Sequence, residues 1–404
     1  MYVYMGHMRW RDILPYANDF WQKNRIDLVS DHISDFDFGR KTLLGNSGTY
    51  TYDKLILAPG SKPNRLGWPG EQLPGVQGLY HRQDLESMES RSPKIKHAVI
   101  VGGGLIGIEM AEMFHSRHIP VTMLVRESSY WAGVLPPEES AMVNREIRAH
   151  GIQLILEDEL QSIQGDEHVG VTGITTRKGE KIPCEFVGLT IGVTPNIGWL
   201  SDSDLETRRG ILVDAYLQTN VPDVYAVGDA AELREPMPGR RAIEAVWYTG
   251  RMMGETVAAN VLGAAIPYNP GTWFNSAKFF TIEYQVYGHV PVVYDGLNDF
   301  CYWEDPKGKR SIRLVWDREN KAVKGFNLMG VRFRQEVCVR WIETATPIDE
   351  VVRQLALAHF DTELSDNAVA AFQQHYYKET GRPVLPPSKG GLDRIIKFLK
   401  SSKV

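Results

Sequence analysis

The chain has 404 residues, three cysteines and a formal net charge of −5, long enough for two or three domains with a sizeable buried interior. Its basic residues fall in short scattered clusters such as Arg208 with Arg209 and Arg240 with Arg241, which argues against a nucleic-acid partner. Cys184, Cys301 and Cys338 show no CxxC spacing, the N-terminus lacks a signal-peptide pattern, and no stretch is apolar for long enough to span a bilayer. A soluble, cytoplasmic protein is expected.

In chain order, a helix is expected over 12–24 and a short strand over 26–29, followed by alternating hairpin strands. Next come an acid, Asp53, an apolar strand, and Gly60-x-x-Pro63-Asn64. An apolar run over 98–101 reads as a buried parallel strand, Gly102-x-Gly104-x-x-Gly107 as a turn, and 105–117 as a helix. A second strand over 121–125, a helix over 138–150 and a strand over 152–156 follow. Further hairpin strands then lead to Glu185, another apolar strand and Gly192-x-x-Pro195-Asn196.

Segments 25–64 and 151–196 therefore read as a repeat. In the second copy Gly102 precedes Ile152 by 50 positions (152 − 102); the same step back from Ile26 lands at −24 (26 − 50). The first copy's glycine loop is thus expected to be missing from this chain, with Met1 falling inside a domain.

The glycine loop is a Rossmann fingerprint in context. Gly102 permits the tight turn, Gly104 lets a pyrophosphate approach the backbone, and Gly107 lets the helix pack against the strand, while the helix N-terminus offers free N–H groups. At the end of the second strand an acid suits the ribose hydroxyls of NADH and an arginine the extra phosphate of NADPH. Arg126 stands there with Glu127 beside it, a pattern that leans to NADPH and leaves NADH open.

Three motifs, YDKLILAPGSKP (52–63), VGGGLIGIEMAE (101–112) and TNVPDVYAVGDAAEL (219–233), in this order and spacing resemble the pyridine nucleotide-disulfide oxidoreductase family. The resemblance covers roughly residues 9–263. It implies an α/β fold of two Rossmann-like dinucleotide-binding domains, the first incomplete here and the second inserted in it, plus a C-terminal α+β domain like the family's dimerisation domain. The implied boundaries are 1–93 and 198–270 for the FAD-binding domain, 94–197 for the NAD(P)H-binding domain and 271–404 for the last.

The resemblance also implies an FAD-dependent NAD(P)H oxidoreductase in which hydride passes from nicotinamide to flavin, with FAD and NADPH or NADH as cofactors and a possible homodimer. Ala58 and Gly60 match the loop where the chain leaves the FAD domain, and Gly192 holds the corresponding place in the second copy. Gly228 and Asp229 match the Gly-Asp that approaches the flavin's pyrophosphate and ribityl chain. Glu109 matches a glutamate facing the nicotinamide, and a helix over 245–262 matches one whose N-terminus points at the flavin ring.

Pro59 departs from the family's usual threonine, and no cysteine pair lies near the expected flavin position. A non-disulfide acceptor is expected: a quinone, oxygen or a small redox protein. The rival expectation is a flavin-less NAD(P)H-binding or scaffold module. No catalytic residue is identified. His7 is a candidate proton donor. His115 and His118 share a helix face without carboxylate or cysteine partners, so no metal site is expected. The tail reads as strands up to about 330, helices over 348–360 and 366–377, and a basic amphipathic end, 392–404.

Overall fold

The computed structural model describes residues 1–360 and 368–382. The helix expected over 12–24 is broken into a 3-10 turn, Trp10–Ile13, and a single helical turn, Phe20–Lys23. Pro15 lies between them; it has no N–H to donate and pushes Leu14 into the extended region, where it is found (φ −71°, ψ 126°). The strand expected over 26–29 is likewise absent, and Leu28 and Val29 are 66% and 63% exposed. Its counterpart in the second repeat is a strand because a parallel neighbour receives it. An antiparallel meander, Ile33–Asp37, Thr42–Gly45 and Thr49–Thr51, then leads to strands β1 (Leu55–Leu57) and β2 (Ser61–Pro63).

A five-stranded, wholly parallel sheet follows. Its members are β3 (Val76–Gln77), β4 (Ala98–Val101), β5 (Val121–Val125), β6 (Gln153–Leu156) and β7 (Phe186–Leu189), in spatial order β3-β7-β4-β5-β6. Helix α1 (Leu105–Ser116) connects β4 to β5, and α2 (Pro137–Ala149) connects β5 to β6. Every residue of β4, β5 and β7 is buried, which explains their unbroken apolar runs. The helices cover one face; the hairpins Leu160–Asp166, Gly170–Thr176 and Lys181–Pro183 supply the apolar cover of the other.

The two Gly-x-x-Pro-Asn endings meet each other. Strand β8 (Val193–Pro195) pairs antiparallel with β2, Ser61 opposite Pro195 and Pro63 opposite Val193. The Asn64 N–H donates to Gly192 O at 3.0 Å and the Asn196 N–H to Gly60 O at 2.9 Å, a two-fold-related pair of bonds. Gly60 (φ +66°) and Gly192 (φ +91°) hold left-handed backbone that favours glycine. The shared motif is thus the clasp through which the chain crosses between the two units.

The chain returns as β9 (Val224–Ala226), parallel to β1, and helix α3 (Trp247–Val261). At this return Asp223 bonds Lys54 and accepts a 2.6 Å bond from Lys41, and these two ammonium groups hold its carboxyl down at about 2. The repeat is unequal here: β7 is flanked by parallel strands on both sides, whereas β1 pairs only with β9 among the described residues, leaving Ile56 46% exposed.

The last unit is α+β. Strands β10 (Phe274–Phe279), β11 (Ile282–Gly288), β12 (Asn298–Glu304), β13 (Ser311–Asp317) and β14 (Val323–Met329) form an antiparallel sheet of order β10-β11-β14-β13-β12. Helices α4 (Gln335–Glu343), α5 (Ile348–Arg353) and α6 (Ala368–Thr380) follow. The helix expected over 348–360 tightens into a 3-10 turn at Leu355–Leu357, and the one expected from 366 runs from Ala368 to Thr380. The basic end, 392–404, lies outside the described residues.

This unit is fixed to the parallel-sheet unit through α2. Arg313 on β13, 3% exposed, donates to both oxygens of the buried Glu139 at 2.7 and 2.9 Å and to Glu138 at 2.7 Å. Glu146 bonds Lys309 and the backbone N–H of Thr281, while Lys278 bonds Glu112 of α1 at 2.7 Å. Phe279, Phe280 and Tyr284 share one core with Phe114 and Met142.

Candidate nucleotide site

The β4 strand ends at Val101, and the chain must reverse tightly to start α1. Gly102 does so at φ +120°, where an added Cβ would lie 2.4 Å from the Thr190 carbonyl oxygen. A Cβ on Gly107 would lie 2.8 Å from Thr190 Oγ1 and 3.0 Å from the Tyr130 hydroxyl oxygen, so this glycine permits α1 to press onto its neighbours. Gly104, the N-cap of α1, differs: a Cβ there meets no protein atom within 4 Å. Its bareness relieves no contact inside the protein and leaves the helix N-terminus open to a ligand.

Around this turn lies a cavity of about 430 Å³ lined by Gly102, Gly103 and Gly104, with Arg126, Trp131 and Gly192 among its walls. Thr190 fixes the floor, its Oγ1 donating to Val101 O at 2.9 Å. The Tyr130 hydroxyl, in a buried side chain, donates to Gly104 O at 2.6 Å and locks the turn; burial pushes its ionisation far up, so it remains a donor. Trp131 presents an aromatic wall, set at φ +56° and packed 5.4 Å from the Tyr284 ring.

Of the residues singled out from sequence, Gly102, Gly104, Arg126 and Gly192 line this cavity, with Gly107 behind the turn. Arg126 is 72% exposed at its side chain and donates to Glu127 at 2.7 Å, so both candidate ribose readers stand together. Glu109 is not among the lining residues. It sits half-buried on α1, where desolvation raises its carboxyl above the usual range against a smaller opposing pull from the Met1 ammonium group. Trp131, Thr190, Asp158 and Glu159 also line the cavity and had no sequence signal beyond position: Trp131 follows the second strand by six residues, and the acids follow β6.

The second group gathers near the clasp. Gly228 has φ +70°, and a Cβ on it would meet nothing within 4 Å; Gly250 of α3 passes behind, its own Cβ position 3.5 Å from Gly228 Cα. Asp229 accepts a 2.7 Å bond from Ser61 Oγ, and the Ser61 N–H donates to the Tyr80 hydroxyl oxygen at 2.8 Å. The Gly-Asp turn is thereby tied to the crossing loop carrying Ala58 and Gly60, where a Cβ on Gly60 would strike Tyr80. Beside them a groove of about 690 Å³ runs along β1, lined by Leu55 to Pro59 together with Phe36, Asn196 and Trp199. His7 is exposed, 6.3 Å from the Tyr2 ring, and His115 packs on His150 and Phe280. Cys184 is buried, which pushes its thiol up to about 12. No helix among the described residues is long and apolar enough to cross a membrane.

The chain is 32% identical over 271 residues to the ferredoxin reductase subunit of a 5,5'-dehydrodivanillate O-demethylase from Sphingobium, covering 66% of each chain. It is 28% identical over 267 residues to a rubredoxin-NAD(+) reductase from Pseudomonas putida, covering 65% of this chain and 69% of that one. A ferredoxin reductase structure from Rhodopseudomonas palustris superimposes with a TM-score of 0.72 at 25% identity, over 79% of this chain and 78% of that one. Residues 11–254 match the family model for pyridine nucleotide-disulphide oxidoreductases, and the chain belongs to that family.

Proposed function

We propose that the chain is an FAD-dependent NAD(P)H oxidoreductase that delivers electrons to a non-disulfide acceptor, with FAD domain 1–93 and 198–270, NAD(P)H domain 94–197 and C-terminal domain 271–404. The observation that carries this reading is the pair of open glycines. Gly104 and Gly228 each leave space that no protein atom fills, on the two units that the Asn64 and Asn196 bonds clasp together.

NAD(P)H would lie with its pyrophosphate on the Gly102 to Gly104 turn, where N–H groups at the start of α1 meet the negative charge. The residues present also fit the ribityl and pyrophosphate part of FAD. Gly228 leaves room for it, Asp229 is an acceptor with capacity beyond the bond from Ser61, and Ala58 and Gly60 border the same turn. Bound there, FAD would supply the hydride-accepting and electron-relaying chemistry. The chain contains one GxGxxG loop, so the adenosine half of FAD has no glycine cradle among the residues described.

A non-disulfide acceptor follows from the thiols. Cys184, Cys301 and Cys338 are all buried and burial raises each of them, so none is poised as a thiolate. A small redox protein is the acceptor class favoured by the relatives named for ferredoxin and rubredoxin. The single partner of β1 favours the second reading, a nucleotide-binding module without flavin.

Two experiments test these readings. The purified chain, reconstituted with FAD, is expected to retain flavin absorbance after gel filtration, and Asp229→Ala to retain less; a colourless wild-type protein after reconstitution overturns the enzyme reading in favour of the module. Titration with NADH and NADPH tests Arg126. Arg126→Ala should weaken NADPH binding by roughly tenfold or more, the scale of one charge-assisted hydrogen bond, and leave NADH unaffected; unchanged NADPH affinity removes Arg126 from the site.

A further inference from the structure

We propose that Cys301, His375 and Glu379 bind one zinc-class divalent cation that clips β12 to α6. The three lie far from the nucleotide cavity in sequence and rest on no part of the reading above. His375 and Glu379 are four residues apart on α6, so both side chains rise from one face of the helix. Cys301 sits mid-strand on β12, 1% exposed, and its Sγ approaches Glu379 Oε2 to 3.3 Å. The three donor atoms fall within 4.8 Å of one another.

Two details distinguish this group from a buried thiol with a polar neighbour. His375 Nε2 is buried and makes no hydrogen bond, although it stands 3.1 Å from Glu379 Oε1; a buried ring nitrogen left without a bond is costly. The separations also suit a shared ion. Cys301 Sγ and His375 Nε2 face different oxygens of the Glu379 carboxylate, Oε2 at 3.3 Å and Oε1 at 3.1 Å, so the carboxylate stands between them, and metal–ligand distances of about 2.0–2.3 Å let one ion reach thiol, imidazole and carboxylate after small side-chain shifts.

The mixed thiolate, imidazole and carboxylate set favours Zn²⁺ over Mg²⁺ or Ca²⁺. Three protein ligands leave a fourth position, on the side where Glu379 is half exposed. Binding would release the Cys301 S–H proton to solvent as the thiolate takes the metal. The expectation of no metal came from reading His115 and His118 on one helix face, whereas α1 ends at Ser116 and His118 lies beyond it at φ +58°; this group joins a strand and a helix more than seventy residues apart, a pairing that linear spacing does not reveal.

The test uses the full chain stripped with a chelator and titrated with Co²⁺ and then Zn²⁺. Wild type should take up one equivalent of Co²⁺ with a sulfur-to-cobalt charge-transfer band, which Zn²⁺ then displaces, and its Tm should rise with Zn²⁺. Cys301→Ser should lose the band. His375→Gln, at a partly exposed position that a folded protein tolerates, should bind at least about 10–100-fold more weakly, the loss that outer-sphere partners alone already cause, and show no Zn²⁺-dependent rise in Tm. Absence of the charge-transfer band in wild type, or equal uptake by wild type and His375→Gln, overturns the proposal.

Discussion

Gly104→Val is expected to abolish NAD(P)H binding while leaving the fold intact. A Cβ at this position meets nothing within 4 Å, and the backbone is extended (φ −110°, ψ 179°), which a branched residue adopts without strain. Replacing glycine at an N-cap alters stability by about 1 kcal/mol or less. The ligand loses far more. The new methyl groups stand where a pyrophosphate must approach the first N–H groups of α1, and each charge-assisted bond forfeited costs about 1.5–3 kcal/mol. Two such bonds lower affinity by roughly 100-fold or more.

Gly102→Ala is the control, because its Cβ would lie 2.4 Å from Thr190 O at φ +120°, so it should lower Tm as well as binding. Fluorescence titration with NADH and NADPH, paired with thermal melts, separates the two. Normal nucleotide affinity in a well-folded Gly104→Val protein would remove the turn from the binding site.

Sequence carried the parallel-sheet unit almost completely, because each signal there is local and mutually consistent. The apolar runs of β4 and β5 are buried at every position, and the glycines do different jobs that the Gly-x-Gly-x-x-Gly spacing already separates. The repeated Gly-x-x-Pro-Asn ending was equally visible, though its purpose was not. Only the structure brings Asn64 to Gly192 and Asn196 to Gly60.

The failures occur where a local pattern depends on a distant partner. Residues 26–29 have the apolar character of a strand but no neighbouring strand to receive them, and helix propensity over 12–24 yields to Pro15. In the cavity, Trp131 and Tyr130 carry no local sequence signal because their places come from a loop folding back over the glycine turn. Glu109, which resemblance assigns to the nicotinamide, is half-buried on α1.

The contact between α2 and the C-terminal sheet supplies the other large effect. Arg313→Met should destabilise the protein by about 3–5 kcal/mol, since it leaves Glu139, fully buried, without its guanidinium. The loss includes the stacking of Arg313 over Phe300 and Tyr302, 4.5 and 4.8 Å from their ring centres. Burial already pushes the Glu139 carboxyl up, and Arg313 pulls it back; without that pull it rises further.

The sign of the pH effect follows. A carboxyl whose folded pKa lies above its unfolded value binds more protons in the native state, so stability is greatest below the ordinary glutamate value near 4.5 and declines as pH rises toward the folded value. Calorimetry of Arg313→Met should therefore show Tm falling between about pH 5 and 8 more steeply than in wild type. Adding Glu139→Gln should flatten that slope and recover part of the loss, because a neutral amide needs no counter-charge. If the double variant melts no higher than Arg313→Met at pH 8 and keeps its slope, the buried pair is not what fixes the C-terminal unit to α2.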